Sequence, residues 1–130
     1  MVIGSAAVDI TAHSSSTASS TAQSTSPGTI ALSMGGVARN IAEAAHRILP
    51  SSLAAEGAVQ LVSGLGKDSF GRLLRDETGR LGMRVDGLVD CERGHRTAAC
   101  NLVLDRAGAL VGGVADMDVV NTLGGKQVRH

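Results

Sequence analysis

The sequence predicts one α/β domain built around a parallel sheet, and three observations carry that reading. A short run of small and β-branched residues opens the chain, a glycine pair leads into a segment of helical period, and a second apolar run ends in another glycine-rich junction. Strand, helix and strand in that order form a right-handed crossover unit. A length of 130 residues, with enough Val, Leu and Ile to bury a core, is that of a single domain.

Val2 to Ile10 reads as the first strand, buried because it does not alternate polar and apolar residues. Asp9 stands at its far end, where open α/β sheets collect ligands and a carboxylate can accept hydrogen bonds from a polyol; an Asp there can also serve only as a turn former. From Thr11 to Ser26, 11 of 16 residues are Ser or Thr, with no apolar anchor to offset the entropy of ordering them, so residues 11–26 read as a mobile insertion. Pro27-Gly28 closes it. Thr29 to Met34 follows as a strand with one wet face, Ile30, Leu32 and Met34 alternating.

Ser33-Met34-Gly35-Gly36-Val37-Ala38-Arg39-Asn40 then opens a helix in which Val37, Ile41, Ala44, Ala45 and Ile48 recur at helical spacing and mark the face for burial. Pro50 ends it. Glycines at the mouth of a helix let a ligand approach the main chain and leave N–H groups and the positive dipole end facing outward, though the pair can equally be no more than a tight turn. Asn40, one turn inside and off the apolar stripe, can donate and accept toward a hydroxylated ligand. Ser51 to Ala58 reads as a loop and Val59 to Ser63 as the second core strand.

Gly64-Leu65-Gly66-Lys67-Asp68-Ser69-Phe70-Gly71 is the second glycine-rich junction. As a Walker loop it fails, because Leu61 replaces the first glycine and Asp68 follows Lys67 where a magnesium-holding hydroxyl belongs. As a dinucleotide fingerprint it fits Gly64 and Gly66, lacks the third glycine at Ser69, and has Asp86 at the distance of a ribose-binding acid. Phe70, Leu73, Leu74 and Leu81 give the next helix its buried stripe, and Val85 to Val89 is a third strand. Thr97 to Asp105 and Ala109 to Val114 read as an antiparallel ribbon around Gly108. Asn101 and Thr97 share one face of its first strand, Ala98, Cys100 and Leu102 the other, and the pattern leaves open which face meets a ligand. Residues 119–130 read as a tail.

With 12 basic and 12 acidic residues the net charge is zero, which gives no electrostatic footprint for nucleic acid or an anionic membrane. A lone aromatic, Phe70, rules out a base-stacking platform. Cys91 and Cys100 lack zinc-site spacing and read as free thiols, with no metal expected. No basic leader and no apolar run of membrane length are present, so a cytoplasmic location is expected.

Gly4-Ser5 with Asp9-Ile10, the Gly35-Gly36-Val37-Ala38-Arg39-Asn40 element, the Gly66-Lys67-Asp68-Ser69-Phe70-Gly71 element and Gly82-Met83 together resemble the amino-terminal part of a PfkB-type (ribokinase-like) carbohydrate kinase. Within that family, Gly35 to Arg47 and Gly113 to Met117 are most similar to pseudouridine kinases, including those fused to a pseudouridine-5′-phosphate glycosidase. The resemblance implies a partial ribokinase-like (Rossmann-like) α/β/α sandwich with a small β lid, the lid formed by the ribbon 97–114 with Thr29 to Met34. It implies ATP-dependent phosphorylation of a sugar or nucleoside, with Asp9, Gly35, Gly36 and Asn40, and Asn101 from the lid, holding the substrate. ATP and Mg2+ are implied for the complete domain, and a homodimer joined through the lids.

Such kinases carry their base and anion hole in a late Gly-Ala-Gly-Asp element that these 130 residues do not contain. Gly112-Gly113-Val114-Ala115-Asp116 is superficially similar but falls in the ribbon. Residues 1–130 therefore read as the amino-terminal part of a kinase domain, inactive alone. The alternatives are a non-catalytic sugar-binding module, an inert fragment and, more distantly, a dinucleotide oxidoreductase.

Overall fold

The computed structural model describes residues 1–15, 25–91 and 94–123. Among them the chain forms two sheets. The body sheet is parallel, in the order β1 (Val2–Ile3), β4 (Leu61–Leu65), β5 (Leu88–Asp90), and the lid sheet runs β3 (Gly28–Gly35), β2 (Ala7–Ser14), β6 (Ala99–Leu104), β7 (Leu110–Asp116). Helices α1 (Val37–Ile48), α2 (Ser51–Ala55) and α3 (Ser69–Arg80) complete the described elements with a 3-10 turn at Asp118–Thr122.

The single strand expected over Val2 to Ile10 is two strands in different sheets. Gly4, at φ 148°, breaks the run, and Ala38 packs so near that a Cβ on Gly4 would meet the Ala38 Cβ at 3.0 Å. The connection is pinned from the body: Gly4 N donates to the Val62 carbonyl at 3.0 Å and Ala6 N to Ser63 Oγ at 3.0 Å. Thr11–Ser14 belong to β2, paired with Gly28–Ala31 of β3. The insertion expected from residue 11 thus begins as strand, and its residues 16–24 lie outside the described residues.

The α1 helix forms where its period predicts, but it buries a different face. Ala38 and Ala42 lie against the body, whereas Val37 is 71% exposed, Ile41 54% and Ile48 84%. The helix rides so close to the β1–β2 connection that only methyl side chains fit under it, which turns the larger stripe outward. Pro50 ends α1 as expected and also begins α2, so part of the expected loop Ser51 to Ala58 is helical.

Strand β4 is buried along its whole length, as a central parallel strand should be, and lies two residues beyond its expected position. In α3, Asp68 is the N-cap, accepting from Gly71 N at 2.8 Å. Its expected stripe is in place: Leu74 is fully buried, and Phe70, Leu73 and Leu81 pack on the same core as Leu61, Leu65 and Met83. The third strand is shorter than expected, Leu88–Asp90.

The ribbon of β6 and β7 is antiparallel, as predicted. Asp105 Oδ1 shapes its turn by accepting from Ala107 N at 2.9 Å and Ala109 N at 2.8 Å, and Gly108 supplies φ 81°. Strand β6 also pairs in parallel with β2, which merges ribbon and flanking strands into one sheet. The tail expected from residue 119 starts as structure, since Val119 is buried with Ala7 and Ala98; residues 124–130 lie outside the described residues. No helix among the described residues is long and apolar enough to cross a membrane.

Candidate functional site at the paired glycines

Gly35 ends β3 and Gly36 caps α1, at φ 95°. Both positions require glycine for the space a side chain would take. A Cβ on Gly36 would meet the Ala6 Cα at 2.8 Å, and one on Gly35 would meet the Asp9 Cγ at 2.7 Å. Asp9 pairs with Ser33 in the β2–β3 ladder, two residues from Gly35, so register sets Asp9 and Gly35 on one face of the lid sheet. The Asp9 carboxylate has no hydrogen-bond or ion-pair partner among the described residues, although the residue is half-buried. A partly desolvated acid with spare acceptor capacity is suited to bind hydroxyl protons.

The helix mouth is less open than the glycines alone imply. Ser5, which has no evident role in the sequence pattern, takes two of its N–H groups: Val37 N donates to Ser5 Oγ at 3.1 Å and Arg39 N to the Ser5 carbonyl at 3.1 Å. Asn40 lies on the exposed surface of the first turn, its Oδ1 accepting from Arg39 Nη1 at 3.1 Å. The one sequence signal for Arg39 is its spacing to Glu43, one helical turn on.

Asn101 is placed elsewhere. It pairs with Ile10 on one side and Val114 on the other, and side chains in register share a face, so it stands on the face opposite Asp9. The β6 residue beside Asp9 is Cys100. Register thereby separates Asn101 from Asp9 and Gly35 across the sheet.

The second glycine-rich junction is filled by protein. A Cβ on Gly66 would meet the His95 carbonyl oxygen and Asp68 Oδ2, each at 2.7 Å, and one on Gly64 would meet the Cys91 Sγ at 2.7 Å. Asp86 pairs with Arg84. These glycines serve packing against neighbouring loops, and the dinucleotide reading loses its cradle. Asp68 instead ties α3 to the lid root: Thr97 N donates to Oδ2 at 2.7 Å and Thr97 Oγ1 to Oδ1 at 2.7 Å, while Gly66 N donates to Thr97 Oγ1 at 2.9 Å. Burial pushes the Asp68 carboxyl upward, but the hydrogen bonds from Thr97, Gly71 and Phe70 outweigh it and hold it below its ordinary value.

A cavity of about 300 Å³ borders this root, lined by Asp68, Phe70, Arg96, Thr97, Ala99 and Asp116. Ala99 and Asp116 share the Asn101 face of the sheet, so the cavity is on the far side of the lid from Asp9. Among the described residues no group of His, Cys, Asp and Glu has the arrangement of a metal site, and Cys91 and Cys100 are free thiols.

Residues 1–118 match the family model described as pfkB family carbohydrate kinase. The chain is 31% identical over 124 residues to the pseudouridine kinase of Escherichia coli (strain K12), covering 95% of this chain and 36% of that protein. A candidate sugar kinase from Clostridium perfringens superposes with a TM-score of 0.78 at 29% identity, covering 98% of this chain and 37% of that one. A fructokinase from Xylella fastidiosa, solved with bound ATP, superposes with a TM-score of 0.61 at 27% identity over 88% of this chain and 31% of that one. The chain thus spans about a third of the length of such relatives. The match includes body and lid, which is the partial ribokinase-like arrangement that the sequence resemblance implied.

Proposed function

The chain belongs to the pfkB family of carbohydrate kinases, and from that premise we propose that it supplies the substrate-holding part of a kinase that transfers phosphate from ATP to a hydroxyl of a nucleoside, pseudouridine in the first instance. The observation that carries the reading is the Asp9 carboxylate, free of protein partners among the described residues and set against Gly35. Asp9, the main chain at Gly35 and Gly36, and Asn40 bind the sugar. Asn101, on the far face, is outside this set, and Cys100 is the neighbour of Asp9 on β6. The 31% identity to a pseudouridine kinase supports the substrate.

In the complete domain ATP with Mg2+ supplies the phosphoryl group. Asp9 and Asn40 fix the acceptor hydroxyl, and the lid sheet keeps water from competing for the phosphoryl group. The residues in hand orient and desolvate; the base and anion hole belong to a Gly-Ala-Gly-Asp element this sequence lacks. The chain alone therefore binds substrate without turnover. It works in the cytoplasm and pairs with a second copy through the lid, whose Ile30, Leu32 and Val114 are 76%, 56% and 74% exposed.

Calorimetry of the purified chain with pseudouridine, ribose and NAD, with and without MgATP, tests this. Heat from pseudouridine and no phosphorylated product are expected. Binding of NAD alone would overturn the substrate class, and rapid formation of a nucleoside phosphate would overturn the claim that the chain is inactive by itself.

A further inference from the structure

Arg39 spans the glycine pair. Its Nη1 donates to the Met34 carbonyl at 3.1 Å, just before Gly35, and also to Asn40 Oδ1 at 3.1 Å, four residues past Gly36. Its Nη2 pairs with Glu43 Oε2 at 2.5 Å, and Arg47 Nη2 holds the other oxygen of Glu43 at 2.6 Å. The Arg39 side chain is only 12% exposed, so this guanidinium is fixed at three points rather than waving in solvent.

A guanidinium carries donors and no acceptor. Whichever atom of the Asn40 carboxamide faces it must be the carbonyl oxygen, and the amide nitrogen is then turned away. An exposed asparagine is otherwise nearly indifferent to that flip, because its last torsion is broad. We infer that Arg39 is a positioning residue that sets Asn40 with its NH2 group toward the substrate, so that Asn40 donates where Asp9 accepts.

A ligand hydroxyl donates a hydrogen bond to Asp9, and a ligand oxygen accepts one from Asn40 Nδ2. Lysine cannot replace Arg39, since one ammonium cannot span the Met34 carbonyl, Asn40 and Glu43 in a single fixed plane. The inference rests on the reading of Asp9 and the glycine pair as a sugar cradle.

Two arms keep the inference and that reading apart. In the ligand-free chain, side-chain amide NMR is expected to show the Asn40 carboxamide shifted from the values of a free asparagine, and Arg39→Met to return it to them; an unchanged resonance in Arg39→Met overturns the positioning role whatever binds. In the second arm pseudouridine is titrated by calorimetry. Arg39→Met, Arg39→Lys and Asn40→Asp are each expected to bind roughly 10-fold more weakly, the loss of one good hydrogen bond, with Asn40→Asp no better than Asn40→Ala because a carboxylate has no proton to give. Asn40→Asp keeps a partner for Arg39, so it separates the donor role from any loosening of the helix. Wild-type affinity in Asn40→Asp would overturn the inference, and absence of pseudouridine binding by the wild-type chain would overturn the cradle while the NMR arm still decides the contact.

Discussion

Asp9 and Gly35 lie on one face of the lid sheet, and a Cβ built on residue 35 would stand 2.7 Å from the Asp9 Cγ. The glycine is there for the acid: its φ is not in the left-handed region, so backbone freedom does not require it, whereas the carboxylate occupies the volume a side chain would need.

Gly35→Ala should therefore move Asp9 before it unfolds the chain. Overpacking of this kind costs about 1–3 kcal/mol. Pseudouridine affinity measured by calorimetry should fall at least as far as in Asp9→Asn, while urea unfolding shows a chain still cooperatively folded. Undiminished binding in Gly35→Ala would separate Asp9 from the site.

Thr97 is buried and its hydroxyl joins Gly66 N to Asp68. Thr97→Val keeps the volume and takes the acceptor from Gly66 N, which costs about 1–3 kcal/mol for a buried polar atom left without a partner, while Asp68 keeps Gly71 N and Thr97 N. Urea unfolding should show the loss, and amide exchange should rise at Gly66 and at the start of β6 more than in the body helices.

Acid should act through Asp68. Its carboxyl is held below the ordinary value in the folded chain, so it contributes stability that is present above the unfolded value of about 3.9 and is lost as pH falls through the folded one. Melting temperatures between neutral pH and pH 3 should fall less steeply in Asp68→Asn than in the wild type, with the mutant already lower at neutral pH. Parallel curves would assign the acid sensitivity to other carboxylates.

The two faces of α1 should respond oppositely to substitution. Ala42 is fully buried and Ile41 is 54% exposed. Ala42→Leu should destabilise by about 1–3 kcal/mol through overpacking, while Ile41→Glu should stay within about 0.5 kcal/mol.

Much of this was legible in the sequence because it is local. The glycine pair before a 3.6-residue period, the Phe70 to Leu81 stripe and the Gly108 hairpin each follow from neighbours a few residues apart. The misreadings share one cause. Val2 to Ile10 looked continuous because pattern cannot show that Gly4 meets Ala38 and that the chain there leaves one sheet for another. The α1 stripe looked buried because hydrophobicity ranks Val and Ile above Ala, whereas a helix pressed against a backbone has room only for methyl groups.

By itself, then, the sequence determined the larger helices, the central strand and the ribbon, though not the break at Gly4 or the α2 helix, together with the family resemblance and the residue types gathered near the first helix, since propensity, caps and turn glycines act over one or two turns of chain. Only the tertiary structure decided which face of each element meets which. The β2–β6 register set Cys100 rather than Asn101 beside Asp9, and the Arg39 bridge from Met34 to Asn40 joined residues on either side of a turn. Those outcomes depend on distances between elements, and a one-residue change of register reverses every side chain of a strand.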